Sequence, residues 1–433
     1  MKTLVLIDND ADSRALFCEC LMGQDWRVVQ AEDGDTGLDL IAEHHPAAVV
    51  CDLRVPGRNG FQVCEQIRKQ KQLSDTRVVL TGVSRFASDR NHARTLGADT
   101  YLPKPIMPGD LLKALDHVDG RARAEAEPRP VITGRTVVRF WGVRGSIPSP
   151  GLQTAKFGGN TSCVEVRVGE LIIVLDAGSG IRGLGQSLMQ EFGKKTLRVT
   201  MLITHTHWDH IQGFPFFVPA YSPTANVRIL GSGAVHTLRN ALGEQMQDAF
   251  FPVRLDDLAS HVVWDELTGD EVEVDGIKVR SIHANHPAMC RGYRICTPQG
   301  DVVYMPDHEG YERNALERQK LSGQPAPALI ADARRRDQEV VEFFRDADVV
   351  ITDTQYDTVE YPSRLDWGHS CVDDVVELAL QASVRQLYLF HHDPDHNDAK
   401  METMIAEARK RVAEAGSNME VSAAREGGEI VLE

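Results

Sequence analysis

Over the first 118 residues, short apolar runs alternate with amphipathic stretches. The runs are TLVLI (3–7), RVVQA (27–31), AAVVC (47–51), RVVLT (77–81) and TYLPK (100–104). Between and after them, helical spacing of apolar positions covers 12–22, 34–44, 59–71, 86–96 and 108–118. Near-continuous apolar strands separated by helices predict an α/β doubly wound, parallel, five-stranded sheet. The pattern then stops: 119–136 gathers charge, Ala and Pro without periodicity and reads as a linker. From 137 to 433 the texture is strand-rich, with helical spacing at about 233–247, 334–346 and 371–383 and a late strand, QLYLF (386–390). Strand runs punctuated by helices predict two packed sheets flanked by helices. The chain of 433 residues thus divides into domains 1–118 and 137–433, within the two or three that its length allows.

Composition narrows the class. Hydrophobic residues make up 42% and charged residues 25%, a balance that excludes wholesale disorder. Lys plus Arg number 47 against 63 Asp plus Glu, a net charge of −16, which disfavours long nucleic acid as a partner. The eight cysteines form no CxxC pair and read as reduced thiols, which fits a cytoplasmic protein. No uncharged run approaches the length of about 18 that a membrane span needs, and the opening MKTLVLIDND is too short for a secretion signal, so no membrane partner is expected.

The sharpest chemical signal is Thr204-His205-Thr206-His207-Trp208-Asp209-His210, directly after an apolar strand. From composition alone, HxHxDH arises somewhere in such a chain with odds of about three in a thousand. On an extended segment His205 and His207 point the same way, and a following turn brings Asp209 and His210 back nearby, a spacing suited to metal. Further donors end other apolar strands: Asp176 in LIIVLDAG, His286 in HANHP, Asp307 in VVYMPD and His391 in LYLFHH. Singly, each is as well explained as a turn residue or cap; jointly they complete a two-metal donor set. His392 stands beside His391 and competes for the same role, whereas His283 reads as a packing or surface residue.

These residues resemble the metallo-β-lactamase superfamily, in its phosphodiesterase-like branch with the tRNA 3′-processing endonucleases. The resemblance covers about 137–433 and rests on THTHWDH, DAGSG, HPAMCRGYRI, MPD and LFHHDP. It implies an αββα sandwich in which His205, His207 and His286 hold one divalent ion and Asp209, His210 and His391 the other. Asp307 would bridge them, and Asp176 would orient a ligand from behind. Zn²⁺, Mn²⁺ and Fe all suit such ligands, with Zn²⁺ first. By the same resemblance His369, in Trp367-Gly368-His369-Ser370, would meet the scissile phosphate and share proton handling with Asp209; a turn capping the next helix is the alternative meaning. Paired ions activate water and clamp the oxygens of a phosphoryl displacement. Arg144, Asn160 and Thr161, in Gly-rich turns, are candidate donors to a phosphate or base, although such turns more commonly only join strands. The segment 239–258 is acidic and apolar, unlike an RNA-gripping arm, so a small phosphodiester such as a cyclic nucleotide is the expected substrate.

At the carboxyl edge of the first sheet, Asp8 and Asp10 follow the first strand, Asp52 ends the third, Thr81 the fourth and Lys104 the fifth. With DLRVPGRNG around Asp52 and YLPKP at 101–105, this resembles the response-regulator receiver domain. The resemblance implies Asp52 as phospho-acceptor, an acidic pocket of Asp8 and Asp10, Lys104 on the phosphoryl group, and Thr81 with Tyr101 as a switch pair. It also implies a sensor histidine kinase as partner and a homodimer through this domain. Asn9 stands where the family carries a second acid, which weakens the expected Mg²⁺ site. The combined expectation is a two-component response regulator with a binuclear-metal phosphodiesterase as output. The alternatives are an RNA-processing endonuclease, a lactonase or thioesterase, and a non-catalytic signalling adaptor.

Overall fold

In the computed structural model the chain forms two compact units, Met1–Pro128 and Arg129–Glu433. Described residues are all except 1, 22–23, 83–92, 94–95, 105, 107, 116–133, 194, 232–234 and 268. Most of the expected linker and of the expected helix 86–96 lies outside them.

The first unit has strands β1 (Lys2–Ile7), β2 (Trp26–Ala31), β3 (Ala48–Asp52), β4 (Arg77–Gly82) and β5 (Thr100–Pro103), with helices α1 (Ala11–Leu21), α2 (Gly34–His44), α3 (Gly60–Lys69) and α4 (Pro108–Leu115). The sheet is parallel throughout, in the order β2-β1-β3-β4-β5. Alternate side chains of each strand serve opposite faces. Val5, Ile7, Val49, Cys51, Val78 and Leu80 enter one buried cluster, and Leu4, Leu6, Ala48, Val50 and Val79 the other. Burial on both faces is why these strands read as unbroken apolar runs. Helix entries are fixed locally: Asp33 caps α2 through the N–H groups of Asp35 and Thr36, and Asn59 with Gln62 forms a capping box on α3.

The second unit stacks two seven-stranded sheets. Its strands are β6 (Thr136–Gly142), β7 (Cys163–Val168), β8 (Leu171–Leu175), β9 (Leu197–Ile203), β10 (Ala225–Gly231), β11 (His261–Glu266), β12 (Glu271–Val274), β13 (Ile277–His283), β14 (Arg291–Thr297), β15 (Gly300–Met305), β16 (Val349–Asp353), β17 (Gln386–Phe390), β18 (Glu420–Ala423) and β19 (Glu429–Leu432). One sheet runs β11-β10-β9-β8-β7-β6-β19, the other β12-β13-β14-β15-β16-β17-β18. Between them lie Phe140, Val164, Ile173, Leu175 and Leu202 against Tyr293, Ile295, Tyr304, Ile351 and Phe390. Helices are α5 (Ile181–Phe192), α6 (Trp208–Ile211), α7 (Val235–Glu244), α8 (Tyr311–Ser322), α9 (Pro327–Phe344), α10 (Val372–Gln381) and α11 (Asp398–Glu414). The outer face of the second sheet is covered by α9, α10 and α11, through Val340, Phe344, Val376, Met401 and Met404. The result is the expected αββα sandwich. Among the described residues no helix is long and apolar enough to cross a membrane.

Candidate metal centre and receiver pocket

Five strands deliver the donors at or just beyond their carboxyl ends: β8 gives Asp176, β9 leads to His205 and His207, β15 to Asp307, β16 ends on Asp353, and β17 leads to His391. The short helix α6 carries Asp209 and His210 back over the end of β9. His286 follows β13 by three residues.

The donors converge. His205, His207, His286 and Asp307 form one group, Asp209, His210 and His391 a second, and Asp307, His369 and His391 a third; within each, the potential ligand atoms lie within 4.8 Å of one another. Asp307 faces two groups with different oxygens. Its Oδ1 is 3.0 Å from His210 Nε2 and 3.4 Å from His391 Nε2, while its Oδ2 is 3.7 Å from both His205 Nε2 and His286 Nε2. Imidazole nitrogens also face each other: His207 Nδ1 and His286 Nε2 at 3.0 Å, His210 Nε2 and His391 Nε2 at 3.3 Å. Four ligands held at about 2.1 Å around a tetrahedral ion would stand about 3.4 Å apart, so these spacings fit ions at each group. His205 Nε2 is buried with no hydrogen-bond partner, which an ion would supply.

A second layer aims these rings. The buried Asp176 accepts the Thr204 N–H at 2.7 Å and the Tyr304 hydroxyl at 2.9 Å, and lies 2.8 Å from His210 Nδ1, leaving Nε2 for the cluster. Gly368 carbonyl oxygen lies 3.0 Å from His286 Nδ1, and Gln355 Oε1 lies 3.0 Å from His391 Nδ1. The Ser146 N–H donates to Asp209 at 2.7 Å. Glu309, also buried, fixes the loop before His369 by accepting from the Tyr361 hydroxyl and the N–H groups of Asp366 and Gly368.

Charge follows the geometry. Burial pushes His205, His207 and His286 down, toward the neutral form that binds metal. Burial would raise Asp307 and Asp209, but His210 and the surrounding imidazoles outweigh it and hold both well below the usual carboxylate range. Burial opposes protonation of His369, yet Asp353, 2.8 Å from its Nδ1, and the nearby Asp307 and Asp209 push it up to about 9.

In the first unit, Lys104 Nζ lies 2.7 Å from Asp8 and 2.6 Å from Asp52, at the carboxyl edge of the sheet. Burial pulls Lys104 down, but its bonds to Asp52 and Asp8 prevail and raise it. Asp52 also accepts the Arg54 N–H. The Thr81 hydroxyl is buried without a hydrogen-bond partner, and Tyr101 is buried with its hydroxyl over Gly82.

Residues 4–116 match the response regulator receiver domain, and residues 172–338 match the beta-lactamase superfamily domain. This chain is a receiver domain fused to a metallo-β-lactamase-fold domain. Ribonuclease Z of Thermoplasma acidophilum is 26% identical over 302 residues, covering 64% of this chain and 91% of the relative. The probable transcriptional regulator ycf27 of Porphyridium aerugineum is 33% identical over 108 residues, 25% of this chain; the chain spans 44% of that regulator's length. The metallo-β-lactamase-fold protein YhfI from Bacillus subtilis is similar in structure with a TM-score of 0.47 and 16% identity, covering 69% of this chain and all of that one.

Within this fusion some expectations need correcting. Arg144 is not placed to meet substrate: it is fully buried and donates to the carbonyls of Gly158, Asp393 and His396, stapling three loops. Asn160 is taken by Glu426 and Ser179, and the buried Thr161 hydroxyl accepts from the Ser179 N–H and from Gln212. Asp10 is exposed and accepts from Asp12 and Ser13 at the start of α1, outside the Lys104 pair. His391 joins the cluster, whereas His392 bonds the Ala424 carbonyl and burial drives it down to about 3. His283 is exposed at the end of β13. Asp353 was not anticipated, although it ends the apolar run VVITD just as Asp176 and Asp307 end theirs.

Proposed function

We propose that the metallo-β-lactamase-fold domain hydrolyses a small phosphodiester, a cyclic nucleotide being one such substrate, at a two-metal centre, under control of the receiver domain. The observation that carries this reading is Asp307, whose two carboxylate oxygens each face a different histidine group. In this reading His205, His207 and His286 hold one ion, Asp209, His210 and His391 the other, and Asp307 both; Zn²⁺ suits the donors best, with Mn²⁺ or Fe as alternatives. The ions would supply Lewis acidity and an activated water for in-line displacement at phosphorus. Asp176 keeps His210 aimed, and Asp353 keeps His369 turned so that its Nε2 handles the proton of the departing oxygen, with Asp209 assisting on the water side. Asp52 accepts a phosphoryl group from a sensor histidine kinase, with Lys104 on the phosphoryl oxygens and Asp8 on a weak Mg²⁺ that Asn9 does little to help. The domains 1–118 and 137–433, with the linker between them, act in the cytoplasm, consistent with eight free cysteines.

A phosphoric diester is favoured because the matched relative is named a ribonuclease, and a small one because the net charge is −16. The test is a panel of cyclic nucleotides, a chromogenic phosphodiester, a tRNA precursor and a lactone, run on wild type and on His207→Ala and Asp307→Ala. We expect turnover of small phosphodiesters by wild type only; equal turnover by the variants overturns the assignment.

A further inference from the structure

Large aromatic side chains usually turn away from water. Two of this chain's five tryptophans do not: Trp208 is 70% exposed and Trp367 56% exposed, while Trp26 and Trp141 are half-buried and Trp264 is buried. Both exposed rings are attached to the metal centre itself. Trp208 stands between His207 and Asp209. Trp367 precedes Gly368, which packs so closely that a Cβ there would come within 2.3 Å of His286 Nδ1. A third loop adds Ile147, 59% exposed, next to the Ser146 N–H that donates to Asp209.

We propose that Trp208 and Trp367 are specificity-determining residues that stack on a planar aromatic group of the substrate, beside the phosphodiester held at the metal centre. This rests on the hydrolase reading above and adds what the substrate must carry. Three segments from separate parts of the chain each place an exposed apolar side chain one residue from a group that orients or forms the donor cluster. Singly exposed apolar side chains are ordinary, and Leu152 and Phe250 are exposed elsewhere on this chain; what marks a ligand surface is their grouping beside one donor cluster. Arg364 lies 4.8 Å from the Trp367 ring centroid, a cation–π contact that fixes the indole plane and adds positive charge beside the site. Flat rings gain most on such a surface, since stacking on an aromatic side chain strengthens binding roughly 5- to 150-fold per base. With a net charge of −16, a single phosphodiester bearing one aromatic group fits better than a long polyanion.

The test uses inhibition of the full, metal-loaded chain by three phosphonates that share one headgroup: benzylphosphonate, cyclohexylmethylphosphonate and methylphosphonate. Wild type should bind the benzyl compound about tenfold more tightly than the methyl compound and several-fold more tightly than the puckered cyclohexyl one. In Trp208→Ala and Trp367→Ala these ratios should shrink, and in the double variant the compounds should come within about twofold of one another. Binding is read in parallel from quenching of tryptophan emission by benzylphosphonate, compared between wild type, Trp208→Phe and Trp367→Phe, and this needs no turnover. Circular dichroism melting confirms that each variant is folded. Equal binding of the benzyl and cyclohexyl compounds by wild type, a preference that survives the double substitution, or quenching unchanged in both Phe variants overturns the proposal. Absence of phosphodiester turnover together with the predicted quenching would instead remove the hydrolase reading and keep the aromatic rim.

Discussion

Asp176 ties the two sheets to the metal centre through a single carboxylate. It sits at φ +61°, an uncommon backbone position for a residue other than glycine, and accepts from Thr204, just beyond β9 of one sheet, and from Tyr304 on β15 of the other while steadying His210. Asp176→Ala would leave several buried donors unmet, each costing about 1–3 kcal/mol, and would free the His210 ring. We expect lower stability in denaturant and metal affinity weakened about 10- to 100-fold in chelator competition. Unchanged affinity would mean that packing alone orients His210. Most of the donor cluster was legible in the sequence because its members lie at or within a few residues of the ends of apolar strands, a signal independent of tertiary structure. The choice between His391 and His392 was not: it depends on φ +58° at His391, which turns that ring into the cluster and sends His392 to the Ala424 carbonyl. Arg144 misled for a similar reason, since two of the three carbonyls that absorb its guanidinium, those of Asp393 and His396, come from about 250 positions away.

Among the elements, α8 shows how helices here depend on partners remote in sequence. Its N-cap residue, Gly310, has no side chain; Asp337 on α9 accepts the N–H groups of Tyr311 and Glu312 instead. Burial pushes Asp337 up to about 6, against those two bonds and helped by the nearby Asp374 and Glu312 carboxylates. Because the folded state holds this proton more tightly than the unfolded chain, its contribution is largest at acid pH and is lost as pH rises through about 6. The loss is of order 1–3 kcal/mol. Denaturant unfolding from pH 4 to 8 should show wild type losing stability relative to Asp337→Asn between about pH 4 and 6 and a flat difference above; a constant difference throughout would contradict it. Helices were the least legible elements. Neither α8 nor α11 was anticipated, because α8 buries little besides Ala315 and the buried stripe of α11 is Met401, Met404, Ala408 and Val412 within a charged background. Similarly, α5 carries Gly183 and Gly185 near its start, which weakens its helical signal, although Gly185 is what lets Phe217 and Pro219 pack against the helix. The strands of the first sheet were legible because two-sided burial makes them nearly uniformly apolar, and strands such as β13 because buried and exposed positions alternate along them.

For the whole molecule, the expected division into a parallel α/β unit and a two-sheet sandwich follows from that change in texture, since strand and helix periodicities are properties of sequence. Which groups meet across two seven-stranded sheets is a property of topology and could be read only through resemblance. The receiver's part is tested on the full chain. With acetyl phosphate and Mg²⁺, intact mass should show slow addition of one phosphoryl group to wild type and none to Asp52→Ala, and turnover should respond to phosphodonor in wild type alone. Equal activity of both proteins with and without phosphodonor would remove the regulatory link. The most direct test of the central claim is to strip the protein of metal and return Zn²⁺ or Mn²⁺ stepwise while following hydrolysis of a phosphodiester. Two histidine groups sharing Asp307 predict that turnover climbs to a plateau at two ions per chain and that Asp307→Ala never reaches it. A plateau at one ion, or turnover indifferent to metal, would contradict the account.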